Sequence, residues 1–198
     1  MYRNFVKRIF DVILSFVALV FLGPLMLICA VIIKFEDKGP AFFKQKRIGI
    51  HKQTFYIYKL RSMKMGAPKD VPTHLFKNPE QYFLRCGKWM RRYSLDELPQ
   101  IINILKGDMS IVGPRPALWN QYDLIAERDK YGANDIRPGL TGWAQINGRD
   151  ELEIPEKARL DGEYLTRESF FFDAMCIWWT VFKVVEHEGV LEEGKRNV

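Results

Sequence analysis

Two adjacent carboxylates, Asp96 and Glu97, sit in the run Arg91-Arg92-Tyr93-Ser94-Leu95-Asp96-Glu97-Leu98-Pro99-Gln100. The pattern predicts a helix from about Leu95 to Leu105, with both acids in its first turn. A carboxylate so placed can attack phosphorus or hold a divalent metal. Neighbouring helical residues point roughly 100° apart, so the two acids would take different roles. One attacks while the other holds metal or manages a proton. The same letters also have a structural reading: Ser94-x-x-Glu97 fits a capping box, and acids are favoured in a first helical turn. Spacing alone leaves both readings open.

A carboxylate that attacks an anionic phosphate needs cations to offset the repulsion, and the arginine fork suits that task. Arg115 lies between prolines in Gly113-Pro114-Arg115-Pro116. That clamp limits its backbone freedom and lowers the ordering cost of binding. Lys59 and Arg61, in Lys59-Leu60-Arg61-Ser62-Met63, follow a strand-like run and can face the same place. Each cation has an ordinary reading too: Arg115 as a surface turn residue, Lys59 and Arg61 as a basic patch near lipid headgroups.

These residues need a scaffold. Ala41–Ile48 and Thr54–Tyr58 read as a hairpin joined by Gly49-Ile50-His51-Lys52-Gln53. Residues 65–74 hold glycine, prolines and mixed charge, and read as a loop. Asn78-Pro79-Glu80 is a helix start, followed by an apolar face of Tyr82, Phe83, Cys86, Trp89 and Met90. In the next helix Leu98, Ile101, Ile102 and Leu105 would face inward, with Gly107 as terminator. Leu118, Tyr122 and Ile125 suggest another helix. Arg137–Gly142 is a turn-rich loop leading into a strand-like Trp143–Ile146. Phe170–Val185 is either core or an interfacial helix with aromatics at headgroup depth.

Val12–Ile33 contains no charged residue, long enough to cross a hydrocarbon core. It is too long for a signal peptide and lacks a small-residue cleavage site at its end. Gly23-Pro24 sits in its middle, where proline removes a backbone hydrogen bond. Both flanks are basic, with Arg3, Lys7 and Arg8 before and Lys34, Lys38, Lys44, Lys46 and Arg47 after. The positive-inside rule then puts both ends on the cytoplasmic side. A helix that enters, breaks at Pro24 and returns fits these facts; a kinked spanning helix is the alternative. Asp11, near the entry, is spaced to pair with Lys7 or Arg8.

The net charge of +6 is uneven: residues 1–65 carry twelve Lys/Arg against three Asp/Glu. Basicity beside an apolar run favours an anionic lipid surface. No nucleic-acid recognition motif accompanies it. Cys29, Cys86 and Cys176 are scattered without a C-x-x-C pair, which supports neither zinc nor disulfides. They read as apolar fillers.

Taken together, the blocks resemble the bacterial sugar transferases, the small monotopic phosphoglycosyl transferases that act on polyprenyl phosphate. The resemblance rests on Lys7-Arg8-Ile9-Phe10-Asp11, Lys59–Met63, Ser94–Gln100 and Gly107-Asp108-Met109-Ser110-Ile111-Val112-Gly113-Pro114-Arg115-Pro116. Arg137–Gln145 and Asn147-Gly148-Arg149 complete it. It implies a re-entrant membrane helix over 1–36, broken at Gly23-Pro24, where Ser-Pro is frequent in the family. It implies a cytoplasmic catalytic domain over 37–198: α/β, mostly helical and compact, with interfacial amphipathic helices. The expected location is the bacterial inner membrane, monotopic and facing the cytoplasm, in the short form of the family.

The implied reaction moves a sugar-1-phosphate from a UDP-sugar to polyprenyl (undecaprenyl) phosphate with Mg²⁺, as a first membrane step of glycoconjugate or polysaccharide assembly. Asp96 would attack the β-phosphate and release UMP. Glu97 would assist through metal or proton handling, and both acids would serve as metal ligands. Arg115, with Lys59 and Arg61, would bind phosphate. Arg137, Thr141 and Asp161 are further nucleotide- or sugar-binding candidates. Asp161 stands in Leu160-Asp161-Gly162-Glu163-Tyr164, where a bulkier residue than Gly162 is usual. Two other classes stay in view: a membrane-anchored scaffold without catalysis, and a basic nucleic-acid-binding domain. An exposed aromatic face would serve lipid or a second copy in a homodimer equally well.

Overall fold

A computed structural model describes residues 2–68, 70–71, 78–148 and 151–186. Arg149 and part of the loop expected over 65–74 lie outside the described residues. The architecture is mostly helical with two small sheets. A π-helical turn, Tyr2–Val6, leads into α1, Lys7–Glu36. β1 (Phe42–Ile48) and β2 (Thr54–Leu60) form the expected antiparallel hairpin, with Lys44 opposite Tyr58 and Phe43 opposite Lys59. α2 (Arg85–Arg92) and α3 (Gln100–Lys106) follow, then β3 (Ser110–Val112) and α4 (Tyr122–Asp129). β4 (Gly139–Thr141) pairs parallel with β3. α5 (Trp143–Ile146), α6 (Ile154–Arg167) and α7 (Phe170–Glu186) complete the chain as described.

α1 is 30 residues long, apolar enough to cross a membrane, and runs through Pro24 as one helix. The backbone stays helical through Gly23-Pro24, where the break was expected. A proline removes one amide donor and crowds the carbonyl four residues back, which a helix can absorb by bending. Both ends of α1 dock on the same folded body. At its start Arg8 donates to the carbonyls of Ile104 and Leu105, at 2.6 and 3.0 Å. At its end Cys29, Ala30 and Ile33 join Ala41, Leu60, Leu84 and Met90 in one apolar cluster. Glu36 then accepts from the amides of Arg85 (2.5 Å) and Cys86 (2.9 Å), satisfying orphan donors at the start of α2. Lys7 and Arg8, counted in the basic flank, make contacts within the protein. Asp11 pairs with neither; its partners lie across the interface, in β3.

Five local expectations change. The helix expected from Asn78 is a short 3₁₀ turn, Pro79–Tyr82, followed by a separate α2. The helix expected from Leu95 is likewise split: a 3₁₀ turn, Leu95–Glu97, precedes α3. In α3 Ile101 and Ile104 face inward with Asn103, while Ile102 is exposed. Gly139–Thr141, expected in a loop, is a strand, and Trp143–Ile146, expected as a strand, is one helical turn. Strand pairing there is decided by close backbone approach: a Cβ on Gly139 would lie 2.2 Å from the Gly113 nitrogen. A short apolar run carries no trace of that constraint.

α7 resolves the choice left by its composition. Phe172, Asp173 and Cys176 face inward, while Phe171, Trp178, Trp179 and Val181 are exposed. Phe10 of α1 and Phe170 of α7 meet with ring centroids 5.1 Å apart, joining the two apolar faces. Cys29, Cys86 and Cys176 are unpaired. Burial pushes the Cys86 and Cys176 thiols up to about 12, as suits inert packing groups.

Gly87 marks where α2 meets the segment that follows β2: a Cβ there would sit 2.0 Å from the Ser62 carbonyl oxygen. Gly87→Ala must lift α2 away from the core, and we expect a loss of about 2–3 kcal/mol of stability, the scale of an overpacked core. A thermal melt in detergent checks this; an unchanged melting temperature would contradict the packing described.

Candidate active site

The site is assembled by three segments that meet around one carboxylate. The first is the hairpin. Lys59, near the end of β2, points to the face that carries Phe43, Gln45 and Arg47. The second is the turn before α3. Ser94 adopts a left-handed backbone, with φ of 54°, and its side chain caps nothing. The capping-box reading therefore fails: the Glu97 side chain is committed elsewhere. Pro99 separates the Leu95–Glu97 turn from α3, which begins at Gln100.

Asn103 locks this second segment to the first. Fully buried, it accepts from the Tyr58 amide at 2.9 Å and donates to the Tyr56 carbonyl at 2.8 Å. That pair fixes the level of α3 against β2, and so the position of Glu97 beside Lys59. Sequence reasoning missed Asn103; the available signal was a lone amide flanked by inward apolar positions, which a buried site tolerates only with partners.

The third segment is the turn after β3. Gly113 donates to the Thr141 carbonyl at 2.9 Å, and Gly139 donates to the Pro114 carbonyl at 2.8 Å. Arg47 from β1 donates to the Pro116 carbonyl at 2.9 Å. The backbone on both sides of Arg115 is thus held, one side by the 137–142 segment and the other by the hairpin.

The three segments converge on Glu97. Lys59 Nζ lies 2.8 Å from Glu97 Oε1, and Arg115 Nη2 lies 2.7 Å from the same oxygen. Arg115 Nη1 is 3.4 Å from Oε2, so the guanidinium meets the carboxylate as a fork. Asp96 and Glu97 are both buried, while the Arg115 side chain keeps 27% of its exposure. The cluster therefore opens to solvent on its arginine side. Burial pushes the Lys59 amine below its ordinary lysine value, with the Glu97 and Asp96 charges pulling the other way. Two buried carboxylates with two cations can receive a phosphate, with cations ready to take up its charge.

The family model for bacterial sugar transferases matches residues 2–187. The chain belongs to the bacterial sugar transferase family. This transferase is 38% identical to the uncharacterized sugar transferase EpsL of Bacillus subtilis, across 93% of this chain and 89% of that protein. It is 34% identical to the exopolysaccharide production protein ExoY of Sinorhizobium fredii, across 88% and 83%. It is 39% identical to the UDP-glucose:undecaprenyl-phosphate glucose-1-phosphate transferase of Escherichia coli, across 91% of this chain but 40% of that longer protein.

The transferase brings Asp96, Glu97, Lys59 and Arg115 together and places the other candidates elsewhere. Arg61 is buried with its guanidinium on the Asp37 carboxylate and on the carbonyls of Asp37 (2.8 Å) and Pro40 (2.6 Å). It ties the end of α1 to β2. Asp161 is buried against Arg128 at 2.6 Å, joining α6 to α4. Burial pushes its carboxyl up, against the pull of Arg128. Gly162 is required there because a Cβ would lie 2.5 Å from that of Tyr131. Arg137 donates to the Gly107 carbonyl at 3.0 Å, and Thr141 bonds Thr180 at 2.6 Å. Both brace the segment that seats Arg115.

Among the described residues, no three His, Cys, Asp or Glu side chains gather into a metal-binding group. Magnesium is commonly held by one or two carboxylates with substrate phosphates completing its shell. Asp96 and Glu97 offer that donor type, with the Glu97 oxygens engaged by Lys59 and Arg115 in this structure.

Removing the Glu97 carboxylate leaves Lys59 facing Arg115. We expect Glu97→Ala to lose about 3 kcal/mol, the scale for breaking a buried ion pair. Inorganic phosphate should raise its melting temperature more than that of the wild type, because an anion can replace the missing charge. Equal phosphate responses in a melting series would contradict this arrangement.

Proposed function

We propose that this transferase moves a sugar-1-phosphate from a UDP-sugar to a polyprenyl phosphate such as undecaprenyl phosphate, in two steps. The observation that carries the reading is the buried Glu97 carboxylate clasped by Lys59 and Arg115, with Asp96 beside it. In the first step an Asp96 oxygen attacks the β-phosphorus of the donor. The bond from that phosphorus to the bridging oxygen breaks, and UMP leaves with the electron pair. A sugar phosphate remains on Asp96 as a mixed anhydride. In the second step an oxygen of the polyprenyl phosphate attacks the same phosphorus. The Asp96 carboxylate departs, and a polyprenyl diphosphate sugar is formed. Splitting the transfer lets a soluble donor and a lipid acceptor use one site in turn.

Arg115 and Lys59 neutralise the charge gathering on the transferring phosphoryl group. The incoming phosphate exchanges with the Glu97 carboxylate for their donors, so substrate binding frees Glu97 to manage a proton or a metal. Bound Mg²⁺, held by Asp96 and Glu97, would act as a Lewis acid on the phosphoryl oxygens. The relatives named for undecaprenyl-phosphate transfer and exopolysaccharide production support the acceptor class and a role in glycan assembly.

The same reading gives a monotopic topology. Both ends of α1 pack on one folded body, which supports a topology with both on one side of the bilayer. The basic residues after α1, Lys34, Lys38, Lys44 and Lys46, support the cytoplasm as that side. The exposed aromatics of α7 rest at headgroup depth. Phe171→Ser with Trp178→Ser should release part of the protein from membranes at high salt. Complete retention would place that face against something other than lipid.

The deciding test is UMP release by detergent-solubilised protein with a panel of UDP-sugars, undecaprenyl phosphate and Mg²⁺. One sugar should give UMP, and Asp96→Asn should lower turnover by a factor on the order of 10³ or more, as for loss of a covalent nucleophile. Turnover by Asp96→Asn near the wild-type rate would remove the proposed intermediate. No UMP from folded wild-type protein with any donor would favour a scaffold.

A further inference from the structure

α1 carries a carboxylate, Asp11, inside its first turns, and it is 4% exposed. Neither a membrane nor a helix end accounts for it. Its two oxygens are used on β3: Oδ2 accepts from Ser110 Oγ at 2.8 Å, and Oδ1 accepts from the Ile111 amide at 2.9 Å. β3 leads through Gly113-Pro114 to Arg115. One turn earlier Arg8 holds the last carbonyls of α3, whose other end follows the Asp96–Glu97 turn. Lys7 reaches Asp173 at 2.5 Å, and Asp173 accepts from Tyr164 at 2.7 Å. The Tyr164 hydroxyl also lies 3.2 Å from the Val112 carbonyl. Three charged side chains on the first turns of α1 therefore hold the two arms of the site, one bearing the carboxylates and the other Arg115.

We propose that Asp11 is a positioning residue for the transfer reaction: it sets β3 so that Arg115 stands ready for the donor phosphate. This rests on the function proposed above. Asp11 touches no substrate. Its effect passes through the backbone of Ser110 and Ile111 to the turn that bears Arg115, while Arg8 keeps the carboxylate arm at matching height. Docking of the membrane helix and assembly of the phosphate site are then one event.

The test uses the full chain in detergent, with UDP as the probe in the presence of Mg²⁺. Asp11→Ala loses both hydrogen bonds and should weaken UDP binding by about tenfold, the scale of coupling between residues in one network. Asp11→Asn should restore binding to within about twofold. Its carbonyl can accept from the Ile111 amide, and its amide can donate to Ser110 Oγ. In an Arg115→Ala background, at UDP concentrations raised to match, Asp11→Ala should add less than about twofold. A general loss of structure would instead weaken both backgrounds equally. If Asp11→Ala does not fold, Ser110→Ala removes one of the two bonds and should weaken UDP by about threefold, again only when Arg115 is present. Unchanged UDP affinity in a folded variant would overturn the proposal, as would a loss that persists in full without Arg115. Failure of the wild type to bind UDP would bring down the function reading instead.

Discussion

Glu97 is a carboxylate taken out of water, and a buried charge must be compensated. Its compensation comes from a strand end and from a proline-clamped turn, in parts of the chain distant from each other. Neither Lys59 nor Arg115 can reach Glu97 unless the hairpin, the turn before α3 and the end of β3 are all in register. The cluster is therefore a constraint on the whole body. On the proposed function, a phosphate that enters the site exchanges with Glu97 for the same cations. Cations already ordered by Glu97 lose little further freedom on binding.

The supports of this cluster are mostly backbone contacts. Asn103 grips the edge of β2, and Gly113, Gly139 and Gly142 bring two chain segments closer than any Cβ would allow. Gly87 does the same beneath α2, and Gly162 beneath Tyr131. Such contacts hold geometry stiffly because they leave no side chain to readjust. Arg115 inherits that stiffness from both sides, as the proposed role at a phosphate requires.

α1 has two faces with different obligations. One presents large apolar residues such as Phe16, Phe21 and Leu27 outward. The other carries Lys7, Arg8 and Asp11 into the protein at its start, and Cys29, Ala30 and Ile33 at its end. A helix that served only as an anchor would not need a buried carboxylate. Its charged turn docks on α3 and β3, so α1 and the body beneath it form one packed unit.

Much of this protein was legible in its letters. The apolar run, the hairpin, the Gly107 helix stop and the acid and arginine blocks all depend on local rules, so local reading found them. The grouping of Asp96, Glu97, Lys59 and Arg115 was anticipated in kind, because an anionic substrate demands cations near a nucleophile. What local reading could not do was sort the remaining charges. Arg61, Asp161, Arg137 and Thr141 look as suitable as Lys59, yet their partners turned out to be Asp37, Arg128, the Gly107 carbonyl and Thr180. The role of Asp11, the level of α3 set by Asn103, and the failed cap at Ser94 were equally hidden. Each depends on which distant group lies within about 3 Å, the reach of a hydrogen bond. Sequence by itself determined the chemical inventory and the elements that carry it. Tertiary structure decided which charges face one another, because pairing is a matter of distance in space and not of order along the chain.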